Sequence, residues 1–320
     1  MKLRRSACID TLYLELPFLD RFQAAKEDGF DAVEFWSWAD RDLSAVKSAS
    51  DRAGIPVCGF NGDADLSLID PAQREAYLAF LHRSLEAARF LGASGVTVHS
   101  NGLGLGGVVL APREDLSHTV KLCSLYAGLA ASARLAEEAG VTLYLEPLNI
   151  STDHPGNFLR DTQTAAELVR LIGSPRLKVL YDIYHMQLNE GRLCDTIRQY
   201  ADTFGHVHAA DAPGRREPGT GEIAFPRVYK ALEAAGWDPG AAPIVSVDHT
   251  AEGAAALESG KLYMTVDQNP EAQARAAVAA AVNLARGRAY DDGLRELLGN
   301  DCTDPEQPFV LRVPVEAVTA

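Results

Sequence analysis

The sequence lacks the marks of several protein classes. Its five cysteines, Cys8, Cys58, Cys123, Cys194 and Cys302, form no C-x-x-C pair and are odd in number. Disulfide scaffolds and zinc ribbons need paired spacings, so reduced thiols and a cytoplasmic location are expected. Positive charge is also in deficit: 30 Lys and Arg stand against 44 Asp and Glu, a net charge of −14. Such a chain repels phosphate backbones, so no nucleic-acid partner is expected. No apolar run approaches the roughly 20 residues of a membrane helix, so no membrane partner is expected either. The basic start soon meets Asp10 and Glu15 instead of an apolar stretch, unlike a secretory signal. No G-x-G-x-x-G opens a helix after the first strand, which weakens a dinucleotide-binding reading.

What is present is an alternation. Short β-branched runs at 31–36, 55–60, 95–100, 141–146, 177–182 and 205–208 read as strands. Near-continuous apolar strands separated by helices imply a buried parallel sheet. The helical segments 18–28, 72–91, 117–139 and 162–172 stop at Gly29, Gly92, Gly140 and Gly173. A glycine after the last turn takes the left-handed conformation without a Cβ penalty. Regular βα alternation predicts an α/β fold, a barrel or a doubly wound sheet.

Polar strand ends favour the barrel. Glu34, His99, Glu146, Asp182 and His208 lie at or near the C-terminal ends of predicted strands, and in a barrel those ends share one mouth. Glu146, Asp182 and His208 end three consecutive strands, 36 and 26 residues apart, each about one βα unit. Two carboxylates and an imidazole suit a divalent ion such as Mn²⁺, Mg²⁺, Co²⁺ or Zn²⁺. The chemistry that fits is proton movement beside a carbonyl, with Glu146 as candidate base. His99 and His154 are set aside as structural. Trp36 and Trp38 suit a pocket wall or packing equally. The Gly-rich run 102–107 lacks the Lys-Ser/Thr ending of a phosphate loop and reads as a loop over the mouth.

Several ordered motifs add a resemblance. Tyr144-Leu-Glu-Pro-Leu-Asn149 precedes Asp153-His-Pro-Gly156; Tyr181-Asp-Ile-Tyr-His-Met-Gln187 precedes Glu190-Gly191. Gly205-His-Val-His-Ala-Ala-Asp211, Pro213-Gly-Arg215 and Glu217-Pro-Gly-Thr-Gly-Glu-Ile223 follow. Together, from about residue 3 to 236, they resemble the hydroxypyruvate isomerase group of the xylose-isomerase-like (β/α)8 TIM barrels. The resemblance implies Glu146 as metal ligand and acid/base, Asp182 and His208 as further ligands, and His185 and Arg215 as substrate contacts. A His at 208 is the choice of related ketose epimerases, so 3-epimerisation of a ketose is a second expectation.

The pattern breaks after Ala231-Leu-Glu-Ala-Ala-Gly236. The family's second Glu, from an eighth strand, is missing. Residues 231–320 resemble the end of a type I periplasmic sugar-binding protein, a fragment that should not bind sugar alone. Residues 244–247 can serve as an atypical eighth strand, which puts Asp248, 40 residues after His208, where the second Glu belongs. Asp248 is thus carried as metal ligand and acid/base, against the alternative that it has no role. The expected division is a barrel over 1–260 and an extension over 261–320. The Ala-rich stretch 272–285 suits a homo-oligomer interface or packed surface equally. A third expectation is a binding barrel without turnover, disabled by its altered end.

Overall fold

The computed structural model describes residues 5–236 and three strands at 246–247, 264–267 and 316–319. Seven short parallel strands follow one another in chain order: β1 (Ser6–Cys8), β2 (Ala32–Phe35), β3 (Val57–Phe60), β4 (Gly95–Val98), β5 (Thr142–Leu145), β6 (Leu177–Asp182) and β7 (Phe204–His208). Ladders join β1 to β3 and β4 to β7. Between β3 and β4 the pairing is sparse: Ser94 N–H donates to the Cys58 carbonyl, and Asn61 bridges Thr97. The sheet curls: Glu34 on β2 meets His206 on β7, 3.1 Å away, inside the curve.

Among the described residues, eight helices accompany the strands: α1 (Arg21–Glu27), α2 (Leu43–Ala53), α3 (Arg74–Leu91), α4 (His118–Ala139), α5 (Thr162–Ile172), α6 (Ile183–Asn189), α7 (Leu193–Tyr200) and α8 (Phe225–Ala234). Three of the four expected glycines cap their helices; α1 closes on Asp28, with the left-handed Gly29 next. Helices α3, α4 and α5 end on Gly92, Gly140 and Gly173, all left-handed. The starts of α4 and α5 are capped too: Ser117 Oγ accepts from Val120 N–H and Asp161 from Thr164 N–H. Each such cap is worth about 1 kcal/mol. The core is mostly aliphatic, with buried aromatics such as Phe22, Phe35 and Tyr77; β4 is buried throughout, and Leu143, Leu145, Leu177 and Val179 are fully buried.

Residue 205 sets a register. Val179 pairs with Phe204, but Leu180 pairs with His206, so Gly205 is the extra residue of a bulge. Beyond it Asp182 and His208 become direct neighbours.

By its internal contacts the chain divides into two compact units, residues 1–216 with 221–243, and 217–220 with 244–320. In the second, β8 (Ser246–Val247) runs parallel to β9 (Met264–Asp267), which pairs antiparallel with β10 (Glu316–Thr319). The expected strand at 244–247 is thus seen as two residues whose partner is β9. Asp248 and the stretch 272–285 lie outside the described residues. Among the described residues, no helix is long and apolar enough to cross a membrane.

Candidate active site

The C-terminal ends of β5, β6 and β7 bring Glu146, Asp182 and His208 together. His208 Nδ1 lies 3.4 Å from Glu146 Oε1 and 3.7 Å from Asp182 Oδ2. Both carboxylates are buried. Asp182 does double duty: its Oδ1 accepts the His185 N–H at the start of α6 (2.8 Å), which leaves Oδ2 turned to the site. Its oxygen, one from Glu146 and a His185 ring nitrogen lie within 4.8 Å of one another.

Two further residues grip this cluster. Glu34 reaches His206 with one oxygen (3.1 Å) and His208 Nε2 with the other (3.4 Å). His99, after β4, places Nε2 3.1 Å from Glu146 Oε2, and Asp63 holds its Nδ1 at 3.0 Å. Charges follow the contacts. Burial opposes ionisation of Glu34 and Glu146, but the facing imidazoles outweigh it and hold both carboxyls well below the usual range. Asp182 is held down to about 2: burial again opposes, and His185 and His208 prevail. Burial works against a charged His208, yet Glu34, Asp182 and Glu146 push it well above the ordinary imidazole value.

His185 is also oriented. The Asn149 amide is fixed, because its Oδ1 accepts the N–H groups of Thr152 (3.1 Å) and Asp153 (3.0 Å). Its Nδ2 therefore donates to His185 Nδ1 at 2.7 Å. An imidazole that accepts at Nδ1 carries its hydrogen on Nε2. That nitrogen stands 3.2 Å from Arg215 Nη2, so two donors lie side by side. Arg215 takes a left-handed backbone (φ 54°) and lays its guanidinium over the Tyr184 ring.

The profile of the family described as "Xylose isomerase-like TIM barrel" matches residues 22–280. The chain belongs to that family. Hydroxypyruvate isomerase of Escherichia coli (strain K12) is 34% identical over 242 residues, covering 72% of this chain and 88% of that protein. The 2-oxo-tetronate isomerase of Cupriavidus necator is 29% identical over 243 residues, covering 73% and 89%. A crystal structure of AP endonuclease, family 2, from Brucella melitensis superposes with a TM-score of 0.65 at 27% identity, covering 73% of this chain and 90% of that one. With such relatives, this TIM barrel is an isomerase.

Within the barrel, the structure brings Glu146, Asp182, His208, His185 and Arg215 to one mouth. Asp248 lies outside the described residues. Trp36 is half exposed, whereas Trp38 donates to Ser84 Oγ on α3 (3.0 Å) and packs against Phe80. The 102–107 loop is tied to the site: the Gly107 carbonyl accepts from His154 Nδ1 (2.6 Å), and the His154 ring lies 5.2 Å from that of His185. Sequence reasoning missed Asp63 and the contacts of Glu34, His99 and His206. The signal available was their position after strands; the partner of each was not written in the local sequence.

Proposed function

We propose that the chain is a divalent-metal-dependent isomerase of a small hydroxy-carbonyl acid, with hydroxypyruvate and tartronate semialdehyde as the first pair. The observation that carries this reading is the convergence of Glu146, Asp182 and His208 beside the paired donors of His185 and Arg215. The names of the isomerase relatives support the same substrate class.

The donor set fits a cation. Three buried or half-buried carboxylates, Glu34, Glu146 and Asp182, each lie within 3.7 Å of the His208 ring, and Glu34 also holds His206. With its Nε2–H turned to Glu34, His208 offers Nδ1 to an ion that Glu146 and Asp182 would also hold. A divalent ion there supplies Lewis acidity, which makes the C–H beside a substrate carbonyl more acidic. Its identity among Mn²⁺, Mg²⁺, Co²⁺ and Zn²⁺ is left open by the donors. Asp248, expected from the sequence as fourth ligand and second acid/base, lies outside the described residues and is given no step in this reading.

Glu146 then moves the proton. It takes hydrogen from the hydroxyl-bearing carbon, and the C–H electron pair becomes the double bond of an enediol. The same carboxyl returns the proton to the neighbouring carbon, and a proton passes between the two oxygens, so no atoms are gained or lost. The Arg215 fork and the His185 Nε2–H receive the substrate's carboxylate, which orients the reacting carbons. His185 serves here as a donor and not as an ion ligand, because Asn149 leaves the hydrogen on Nε2. The expected sugar-binding likeness of residues 231–320 is not part of this reading, and the family profile itself runs on to residue 280.

Metal-loaded protein should exchange the substrate's C–H hydrogen with solvent deuterium, and Glu146→Gln should slow that exchange by about 10²–10⁴-fold. Intact exchange in the variant, or preferred turnover of ketohexoses over hydroxypyruvate, sinks the proposal.

A further inference from the structure

We propose that His99 is a positioning residue that fixes the plane of the Glu146 carboxylate and so aims one of its oxygens into the site, and that Asp63 sets it. The inference takes Glu146 as base and ion ligand, and so deepens the function proposed above.

The geometry is a buried line of three side chains from three successive strand ends. Asp63 follows β3, His99 follows β4 and Glu146 follows β5. Asp63 holds His99 twice. Its Oδ2 accepts the His99 backbone N–H at 2.5 Å, and its Oδ1 faces Nδ1 at 3.0 Å. The Tyr77 hydroxyl donates to the same carboxylate at 3.3 Å, so Asp63 is itself fixed. All three side chains in the line are at most 7% exposed.

A carboxylate accepts and does not donate, so with Asp63 on Nδ1 and Glu146 on Nε2 the ring donates from both nitrogens. The Nε2–H bond commits Glu146 Oε2. Oε1 is then the oxygen turned to His208 Nδ1. This matters because the last torsion of a glutamate is broad, and backbone placement alone does not set the plane of its carboxylate. Without the His99 bond, the Glu146 carboxylate is free to rotate about that torsion and neither oxygen is fixed toward the site. With it, one oxygen is held and the other is aimed.

Two substitutions separate this role from a merely structural one. Asn at 99 can reach Asp63 in place of Nδ1 but falls short of Glu146. Gln at 99 can reach Glu146 in place of Nε2 but gives up Asp63. A structural residue should tolerate His99→Asn better than His99→Gln; the positioning role predicts the reverse. The readouts are solvent exchange of hydroxypyruvate hydrogen, Mn²⁺ affinity by electron paramagnetic resonance, and thermal melting. His99→Asn should melt near wild type, yet lose on the order of 10–100-fold in exchange rate and in Mn²⁺ affinity, as outer-shell partners of ligands do. His99→Gln should recover most of both.

If wild type exchanges hydrogen and binds Mn²⁺ while His99→Asn matches it in both, the role of His99 is overturned and the proposed function stands. If His99→Gln is as impaired as His99→Phe, it is overturned too. If wild type exchanges nothing, the proposed function fails. The Mn²⁺ titration then decides for His99: weaker binding in His99→Asn supports the role, and equal or no binding overturns it.

Discussion

At the scale of single residues, the site is a set of protons placed by neighbours. Asn149 is the clearest case. It touches neither carboxylate of the cluster, yet it decides which nitrogen of His185 carries hydrogen. Asn149→Ala should leave buried acceptors and donors unpaired and cost about 1–3 kcal/mol of stability, read by urea titration. Released from Asn149, His185 can turn over its tautomer. Steady-state kinetics should then show KM for hydroxypyruvate rising more than kcat falls. Equal losses in both would place His185 elsewhere in the reaction.

At the scale of elements, the β7 bulge is what seats His208. An added Cβ at Gly205 would come within 2.9 Å of the Tyr144 ring and 2.6 Å of Lys178 Cβ. The Tyr144 ring stacks on His206 (5.4 Å between centroids), so there is little room to yield. Gly205→Ala should therefore destabilise by about 1–3 kcal/mol and weaken Mn²⁺ binding together, whereas a simple packing defect would spare the metal. Elements were also the most legible feature of the sequence. All six predicted strands and the glycine stops of α3, α4 and α5 are present, because β-branched runs and helix ends are local signals. The first strand, Ser6–Cys8, went unread: Ser-Ala-Cys is short and has no β-branched residue. Glu146, Asp182 and His208 were legible as strand ends. The hold of Glu34 on His206 was not, because 172 residues separate the two and only the curl of the sheet brings them together.

At the scale of the whole molecule, buried ions set the pH range of the metal-free protein. Asp182 is held at about 2 against an ordinary 3.8, so its stabilisation is present above 3.8 and lost as pH falls through about 2. His99 goes the other way. Burial disfavours its charge, but Asp63 and Glu146 raise it from 6.5 to about 10. Its stabilisation is complete below 6.5 and lost as pH rises through about 10. Thermal melts in chelator should thus show a plateau between these limits and a fall on both sides. His99→Asn should keep the acid fall and flatten the alkaline one; an unchanged alkaline fall would assign it to other groups.

The Gly107 carbonyl, the His154 ring and the His185 ring form a short line of contacts between a glycine-rich loop and a proposed substrate contact. An added Cβ at Gly107 would strike His154 at 2.6 Å, so the loop approaches as closely as its backbone allows. A loop one residue longer or shorter would shift that line of contacts, and the His185 ring with it, while Glu146, Asp182 and His208 stay on their strand ends. On the proposed function, the measured length of this loop would then help set the size of molecule that the same acids and bases serve.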